Sequence, residues 1–260
     1  MRFSSLRLFR SLYRWASPVI DPFRIVSSVL ALIRYPAFLL DYIRYCLITD
    51  EQVPIADIFP CLADKSSSSQ SGRGHYFYQD IWALARIIER IPAKQVDIGS
   101  RIDGFAGQLS AVCDVEYVDI RGVDLGLDRF TMLNGSILCL PYPDRSVDSL
   151  SCLHVIEHVG LGRYGDPVNP DGSEAAASEL CRVLALHGRL LLGIPIGRER
   201  VAFNAHRIFS PFTVLNWFAE LRLVEFSVVN DAGIFRRFAH PHDYTSADYA
   251  CGLFMFERDQ

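Results

Sequence analysis

Several things are missing from this 260-residue chain, and each absence excludes something. There is no basic excess: 26 Lys and Arg stand against 30 Asp and Glu, a formal net charge of -4 at pH 7. Binding along a phosphate backbone calls for a basic surface, so nucleic acid is not an expected partner. There is no C-x-x-C, and the seven cysteines (Cys46, Cys61, Cys113, Cys139, Cys152, Cys181 and Cys251) are odd in number and scattered. That usage predicts reduced, mostly buried thiols in a reducing compartment. The apolar run from Ile25 to Ile48 is interrupted by Arg34, Pro36, Asp41 and Arg44, and so falls short of the roughly 20 apolar residues of a spanning helix. No small-residue cleavage site follows a short apolar core, so a signal peptide is not expected. No internal repeat is present. The glycines Gly99, Gly104 and Gly107 are too widely spaced for the G-x-G-x-x-G loop that seats a dinucleotide pyrophosphate.

What is present begins with Gln95 to Arg121. An apolar run, Val96 to Ile98, ends in Gly99-Ser100; a helix-compatible segment follows, and a second apolar run, Val115 to Val118, ends in Asp119. A glycine at a strand end lets backbone approach a ligand, and an acid about 20 residues later accepts hydrogen bonds from ribose hydroxyls. The pairing points to an adenosine-containing cofactor.

Further along, Pro141, Pro143 and Asp144 mark a turn, and Val147 to Cys152 reads as a central buried strand. Ser173 to Leu186 reads as a crossover helix, Gly188 to Pro195 as the next buried strand, and Ser210 to Leu221 as another helix. Strands near Leu223 to Val229 and Ala250 to Glu257 have only a loop between them, which predicts antiparallel pairing.

The first 60 residues differ in character. Arg2, Arg7, Arg10, Arg14, Arg24, Arg34 and Arg44 outnumber the acids, while Phe3, Leu6, Phe9, Tyr13 and Ala16 recur at helical spacing. Such a basic amphipathic pattern suits either peripheral contact with a membrane interface or packing on a partner surface. Ser66 to Gly72, SSSSQSG, reads as a flexible hinge. After it, His75, Tyr76, Tyr78 and Gln79 lead an amphipathic helix, Gln79 to Arg90, which Pro92 ends. Either a lid or a plain helix start fits that lead. The organisation expected is 1–65 helical appendage, 66–74 linker and 75–260 catalytic domain.

Asp97 to Ser100, D-x-G-S, resembles the first motif of class I S-adenosylmethionine methyltransferases, with Arg101 and Asp103 in the later glycine places. Asn134 to Leu150 is similar to their third-strand region, with Ser136 where an adenine-contacting Asp is common, and LHVIEHV (Leu153 to Val159) continues the likeness. The resemblance implies a Rossmann-like, doubly wound α/β fold with a mostly parallel seven-stranded sheet and an antiparallel last strand. It implies S-adenosylmethionine as cofactor, held by Asp97, Gly99, Ser100, Asp119, Ser136 and Ile137. The long loop Gly160 to Gly172 and the closing NAHRIFSP resemble an uncharacterised methyltransferase-like family of bacteria and nematodes, over about Gly72 to Glu257. A chain with altered first-motif glycines also fits a non-catalytic binding module of this fold.

His154 to His158, H-V-I-E-H, matches the H-x-x-E-H of inverted zinc peptidases. That match needs both histidines on one helical turn, whereas His154 follows a strand-like run. In the methyltransferase reading the same residues lie outside the carboxyl ends of the strands, where ligands bind. A hydroxyl acceptor loses a proton as it is methylated, and histidine is suited to take it. The segment also resembles E-x-x-E-H of ubiquinone-pathway and small-RNA O-methyltransferases, with His154 in place of the first Glu and His206 near the place of a fourth ligand. Three roles therefore stay open for His154, Glu157, His158 and His206: metal-free base catalysis, a divalent metal site that suits zinc or iron better than magnesium, or a purely structural part in shaping the turn after the strand. The acceptor expected is a sugar or glycan-precursor hydroxyl presented near a membrane, with a soluble metabolite or quinone precursor as alternatives. The expected location is cytoplasmic, peripheral on the membrane's cytoplasmic face.

Overall fold

The computed structural model describes residues 25–48, 53, 58–62, 74–123 and 125–259, and divides the chain into compact units 1–71 and 72–260. In the first unit Ile25–Ile48 forms one 24-residue helix, α1, that passes through Pro36. Proline there removes one backbone donor without ending the helix. No helix among the described residues is long and apolar enough to cross a membrane. The pattern at residues 3–16 and the hinge at 66–72 lie outside the described residues.

The second unit opens with α2, His75–Glu89, which starts four residues before the expected Gln79 because Gly74, at φ +105°, turns the chain directly into it. Then come β1 (Lys94–Ile98), a π-helical turn (Ile102–Ala106) continuing into α3 (Gly107–Leu109), β2 (Asp114–Asp119), β3 (Phe130–Asn134) and β4 (Val147–Leu153). A 3-10 turn (Ile156–His158) precedes α4 (Gly172–Val183) and β5 (Leu184–Ile196). The hairpin β6 (Arg200–Ala202) and β7 (His206–Ile208) leads to α5 (Pro211–Trp217), β8 (Arg222–Val229), β9 (Phe235–Arg236) and β10 (Ala250–Glu257).

The main sheet has the order β3-β2-β1-β4-β5-β10-β8-β9. Strands β1 to β5 pair parallel, and β10 runs antiparallel to both β5 and β8. The expected seven strands with a reversed last one are present; two-residue β9 adds an eighth at the edge. The chain changes winding direction between β1 and β4, and this switch point opens a crevice at the carboxyl ends of the strands.

Apolar strands covered on both faces fill two cores. Against one face pack Ala176, Ala177 and Leu180 of α4 with Val214 of α5; against the other pack Trp82, Ala83 and Ile87 of α2 with Phe105. Glu225, buried on β8, fixes α2 by accepting from Trp82 Nε1 at 2.9 Å and Arg86 Nη1 at 2.8 Å. Burial alone would raise its pKa, but Arg237, Ser227, Trp82 and Arg86 outweigh burial and hold it down at about 2.

Two helices are shorter than their apolar periodicity predicts. Helix α4 ends at Val183 instead of Leu186, because buried Arg258 donates to the Cys181 carbonyl at 2.6 Å and the Leu184 carbonyl at 2.9 Å. Those carbonyls find their partner far along the chain, and Leu184 turns into β5, which begins four residues before the expected Gly188. Helix α5, capped by the Ser210 hydroxyl accepting from Phe212 N–H, ends at Trp217 instead of Leu221.

Candidate functional site

A cavity of about 360 Å³ occupies the crevice at the switch point, within the size range of small-molecule sites. Ile98 and Gly99 reach it from the end of β1, Val118 and Asp119 from β2, Gly135 to Leu138 from the turn after β3, and His154 and Val155 from the end of β4. Tyr164 to Pro167, from the long loop, form its outer wall. Gly99 sits at φ +63°, a left-handed conformation, and a Cβ there would press on Val155 at 3.3 Å and approach Asp119 Oδ2 at 3.7 Å. Glycine thus opens the floor of the pocket in front of the acid.

Of the six cofactor residues expected, Gly99, Asp119, Ser136 and Ile137 line this cavity; Asp97 and Ser100 do not. Asp97 is fully buried behind the loop, accepting from Ser100 N at 3.1 Å, Ser100 Oγ at 2.8 Å and Ser151 Oγ at 2.6 Å. In this arrangement Asp97 positions the loop and does not face the cavity. Burial raises its pKa to about 6, against the opposing effect of those hydrogen bonds. Arg101 and Asp103, in the places of two motif glycines, pair with each other at 2.9 Å outside the cavity wall, with Arg101 over the Tyr76 ring. Their side chains do not fill the pocket.

Asp119 accepts from the Tyr117 hydroxyl at 3.2 Å and from both the backbone and the guanidinium of Arg121. Arg121 also stacks on Tyr164, 4.5 Å from the ring centroid, joining the β2 end to the long loop across the cavity mouth. No sequence motif marks Arg121 or Tyr164 for this contact. The loop itself is pinned: Asp166 accepts from Gly160 N at 2.6 Å, and buried Arg207 reaches the carbonyls of Val159, Asn169 and Pro170.

The four residues of the H-V-I-E-H and NAHRIFSP segments separate in role. His154 lies just past β4 with φ +56°, outside the three-residue turn that holds His158, so the paired-histidine helix of the peptidase reading does not form. Its Nδ1 lies 2.6 Å from Glu157 Oε1. Burial pulls its pKa down, but Cys251 and Glu157 outweigh burial and raise it well above the ordinary histidine value. Glu157 is buried between the two histidines, 3.7 Å from His158 Nε2, and does not line the cavity. His206 leans on Tyr249 with ring centroids 5.0 Å apart, outside the lining, and burial lowers its pKa. His158 does line the cavity. Its Nδ1 is 2.6 Å from the Ala205 carbonyl; a carbonyl can only accept, so Nδ1 carries a proton and any acceptor role falls to Nε2.

The four residues weighed from sequence as a metal set are not the ones whose ligand atoms converge. Among the described residues, the one group of three or more His, Cys, Asp or Glu whose ligand atoms converge is His75, His154 and Cys251. The sequence singled out His75 only as part of an aromatic lead, and Cys251 only as a thiol.

Comparison with known proteins agrees with this architecture. Residues 142–230 match the family model described as Caenorhabditis protein of unknown function, DUF268, a narrower span than the resemblance read from sequence. No curated protein matches the chain. The [4+2]-cyclase SpnF is similar in structure, with a TM-score of 0.52 and 15% identity over 70% of this chain and 81% of its own. A chain of the Haloferax volcanii complex between the Trm112 methyltransferase activator and its proposed methyltransferase gives a TM-score of 0.50 and 15% identity, over 72% and 90%. The N-methyltransferase NodS from Bradyrhizobium japonicum gives 0.49 and 14%, over 71% and 88%. With the strand order, the reversed β10 and the cavity at the switch point, the first two of these neighbours show that this chain has the Rossmann-like fold of the class I methyltransferases.

Proposed function

We propose that this chain is an S-adenosylmethionine-dependent methyltransferase that acts on a hydroxyl oxygen, with His158 as the base. The observation that carries the reading is the protonation geometry of His158: Nδ1 is committed to the Ala205 carbonyl, leaving Nε2 as the acceptor on a side chain that lines the cavity. The residues fit the cofactor. Gly99 leaves room for close approach, Ile98, Val118, Ile137, Leu138 and Val155 offer an apolar wall for adenine, and Asp119 offers the carboxylate for ribose once Arg121 swings away. S-adenosylmethionine held there supplies an electrophilic methyl group. The chain orients the acceptor hydroxyl and receives its proton at His158 Nε2, while Glu157 and His154 brace the turn that carries it. Tyr164 to Pro167 form one wall of the cavity beside the acceptor.

A sugar or glycan-precursor hydroxyl suits this site, since a polar, glycine- and proline-rich loop forms its outer wall. We place the enzyme in the cytoplasm, at a membrane surface contacted by residues 1–60. Supporting this are the arginines of that segment and the exposed Ile33, Leu40, Ile43 and Leu47 of α1. The fold alone does not fix the chemistry, and the neighbour described as a [4+2]-cyclase carries the same warning. The deciding experiment is calorimetric titration with S-adenosylhomocysteine, followed by transfer of a labelled methyl group to extracted lipid-linked saccharides. Absence of binding at millimolar ligand sinks the methyltransferase reading; binding without transfer favours a non-catalytic module. For the membrane role, the full chain should sediment with anionic vesicles at low salt and a chain lacking residues 1–60 should not; equal recovery of both in the supernatant removes it.

A further inference from the structure

Beside the cavity, three elements far apart in sequence bring soft-metal ligands together. His75 opens α2, His154 closes β4 and Cys251 lies near the start of β10. One ligand atom from each lies within 4.8 Å of the others. The His154 Nε2 atom is buried and makes no hydrogen bond of ordinary length, its ring interacting instead with the Cys251 thiol, and a polar atom so placed is costly. Its other ring nitrogen, Nδ1, is held 2.6 Å from the buried Glu157 carboxylate. A histidine that donates one N–H to a carboxylate and presents the other nitrogen to a pocket has the arrangement of a metal ligand with its outer-shell partner. The His75 ring lies parallel to that of His154, interplanar angle 6°, and is backed on its own account by Tyr249 at 5.0 Å. The free Cys251 thiol is fully buried.

We infer that His75, His154 and Cys251 bind a single soft divalent ion of the zinc class, with Glu157 orienting His154. Two imidazoles and one thiolate are the donor set that zinc prefers. Three protein ligands leave one tetrahedral position for water or an added ligand. Binding releases the thiol proton. Tetrahedral bonds of about 2.0 to 2.3 Å require the three atoms to draw together by roughly an ångström and the His75 ring to rotate out of its parallel stack on His154, so that the two in-plane lone pairs meet at the ion; His75 is the first residue of its helix. The bound ion clips the start of α2 to the ends of β4 and β10. This inference does not depend on the methyltransferase reading.

The full-length chain, freed of metal by chelation, is titrated with cobalt(II) and zinc(II) alone. Expected are stoichiometric uptake, a thiolate-to-cobalt charge-transfer band, and a higher thermal midpoint with zinc. Cys251→Ser and His75→Ala should each lose the band and the zinc-dependent stabilisation, whereas His158→Ala and His206→Ala keep both. His75 is only half-buried, so His75→Ala decides the matter even if Cys251→Ser fails to fold. No stoichiometric uptake by the wild-type chain, a band that survives in His75→Ala, or a band lost in His206→Ala but kept in His75→Ala would each overturn the site.

Discussion

Arg121 lies along the carboxylate of Asp119, with Nε 3.1 Å from Oδ1 and Nη2 3.1 Å from Oδ2, and its backbone N–H takes Oδ1 again at 2.7 Å. The acid that should receive ribose hydroxyls is thus already satisfied, and ligand binding exchanges one set of donors for another. Arg121 is 59% exposed, and an ion pair so placed is worth about 0.2 to 1 kcal/mol. Arg121→Ala should therefore tighten S-adenosylhomocysteine binding by at most about fivefold. Asp119→Ala should weaken it by roughly tenfold or more, the worth of a charged hydrogen bond. Calorimetry on both variants checks this; a large loss of affinity in Arg121→Ala would mean that the arginine itself holds the ligand.

Asp97 makes folding stability depend on pH in a direction opposite to that of a salt-bridged carboxylate. Its pKa is raised in the folded state to about 6 from an ordinary 3.8, chiefly by burial. Its contribution is therefore fully present below the ordinary value and is lost as pH rises through about 6. Asp97→Asn keeps an acceptor for Ser100 N–H and removes the titration. Denaturant unfolding of the two proteins at about pH 4 and about pH 8 should show the wild type losing more stability on the alkaline side, by an amount on the order of 1 to 3 kcal/mol. Parallel pH profiles would show that Asp97 does not titrate in this range.

Much of this arrangement was readable in the sequence because strand ends and glycines are local signals. Val96 to Gly99 and Val115 to Asp119 place the cofactor crevice, and the short connection before Ala250 foretells the reversed strand. Other features depend on partners that local pattern does not reveal. The end of α4 is set by Arg258, 77 positions from Cys181. The convergence of His75, His154 and Cys251 exists only once β10 inserts between β5 and β8. Asp97 is a case of the same kind: a motif aspartate at a strand end looks like a ligand contact, and its bond to Ser151 on the neighbouring strand, which local pattern does not reveal, turns it inward.

Two glycines of the long loop separate steric fit from backbone conformation. Both Gly160 and Gly165 have positive φ, +80° and +86°. A Cβ on Gly160 would run into the backbone carbonyl of Asn169, whereas one on Gly165 would meet nothing within 4 Å. Gly165→Ala should cost about 1 to 2 kcal/mol from the left-handed backbone alone. Gly160→Ala should cost clearly more and loosen the wall at Tyr164, weakening ligand affinity as well. Thermal unfolding with a parallel titration tests the order, and equal losses would mean that the loop relaxes freely.

The strongest functional consequence concerns which histidine moves the proton. His158 lines the cavity with Nδ1 on the Ala205 carbonyl and Nε2 3.7 Å from Glu157, while His154 is committed to Glu157 and His206 stands outside the wall. With an acceptor identified by labelled methyl transfer, His158→Ala should lower kcat by about 10² to 10⁴ while S-adenosylhomocysteine affinity stays near wild type. His206→Ala should change kcat far less. Glu157→Gln removes a buried charge between the two histidines, and as a positioning change it should lower kcat while leaving the slope of the pH–rate profile intact; His158→Ala should abolish the limb that reports the base. Chelation serves as the cross-check. If His158 acts without a metal, activity survives chelator in the His75→Ala background, where the neighbouring ligand set is already incomplete. Loss of turnover on chelation in that variant, or an unchanged rate in His158→Ala, would move the chemistry to another group.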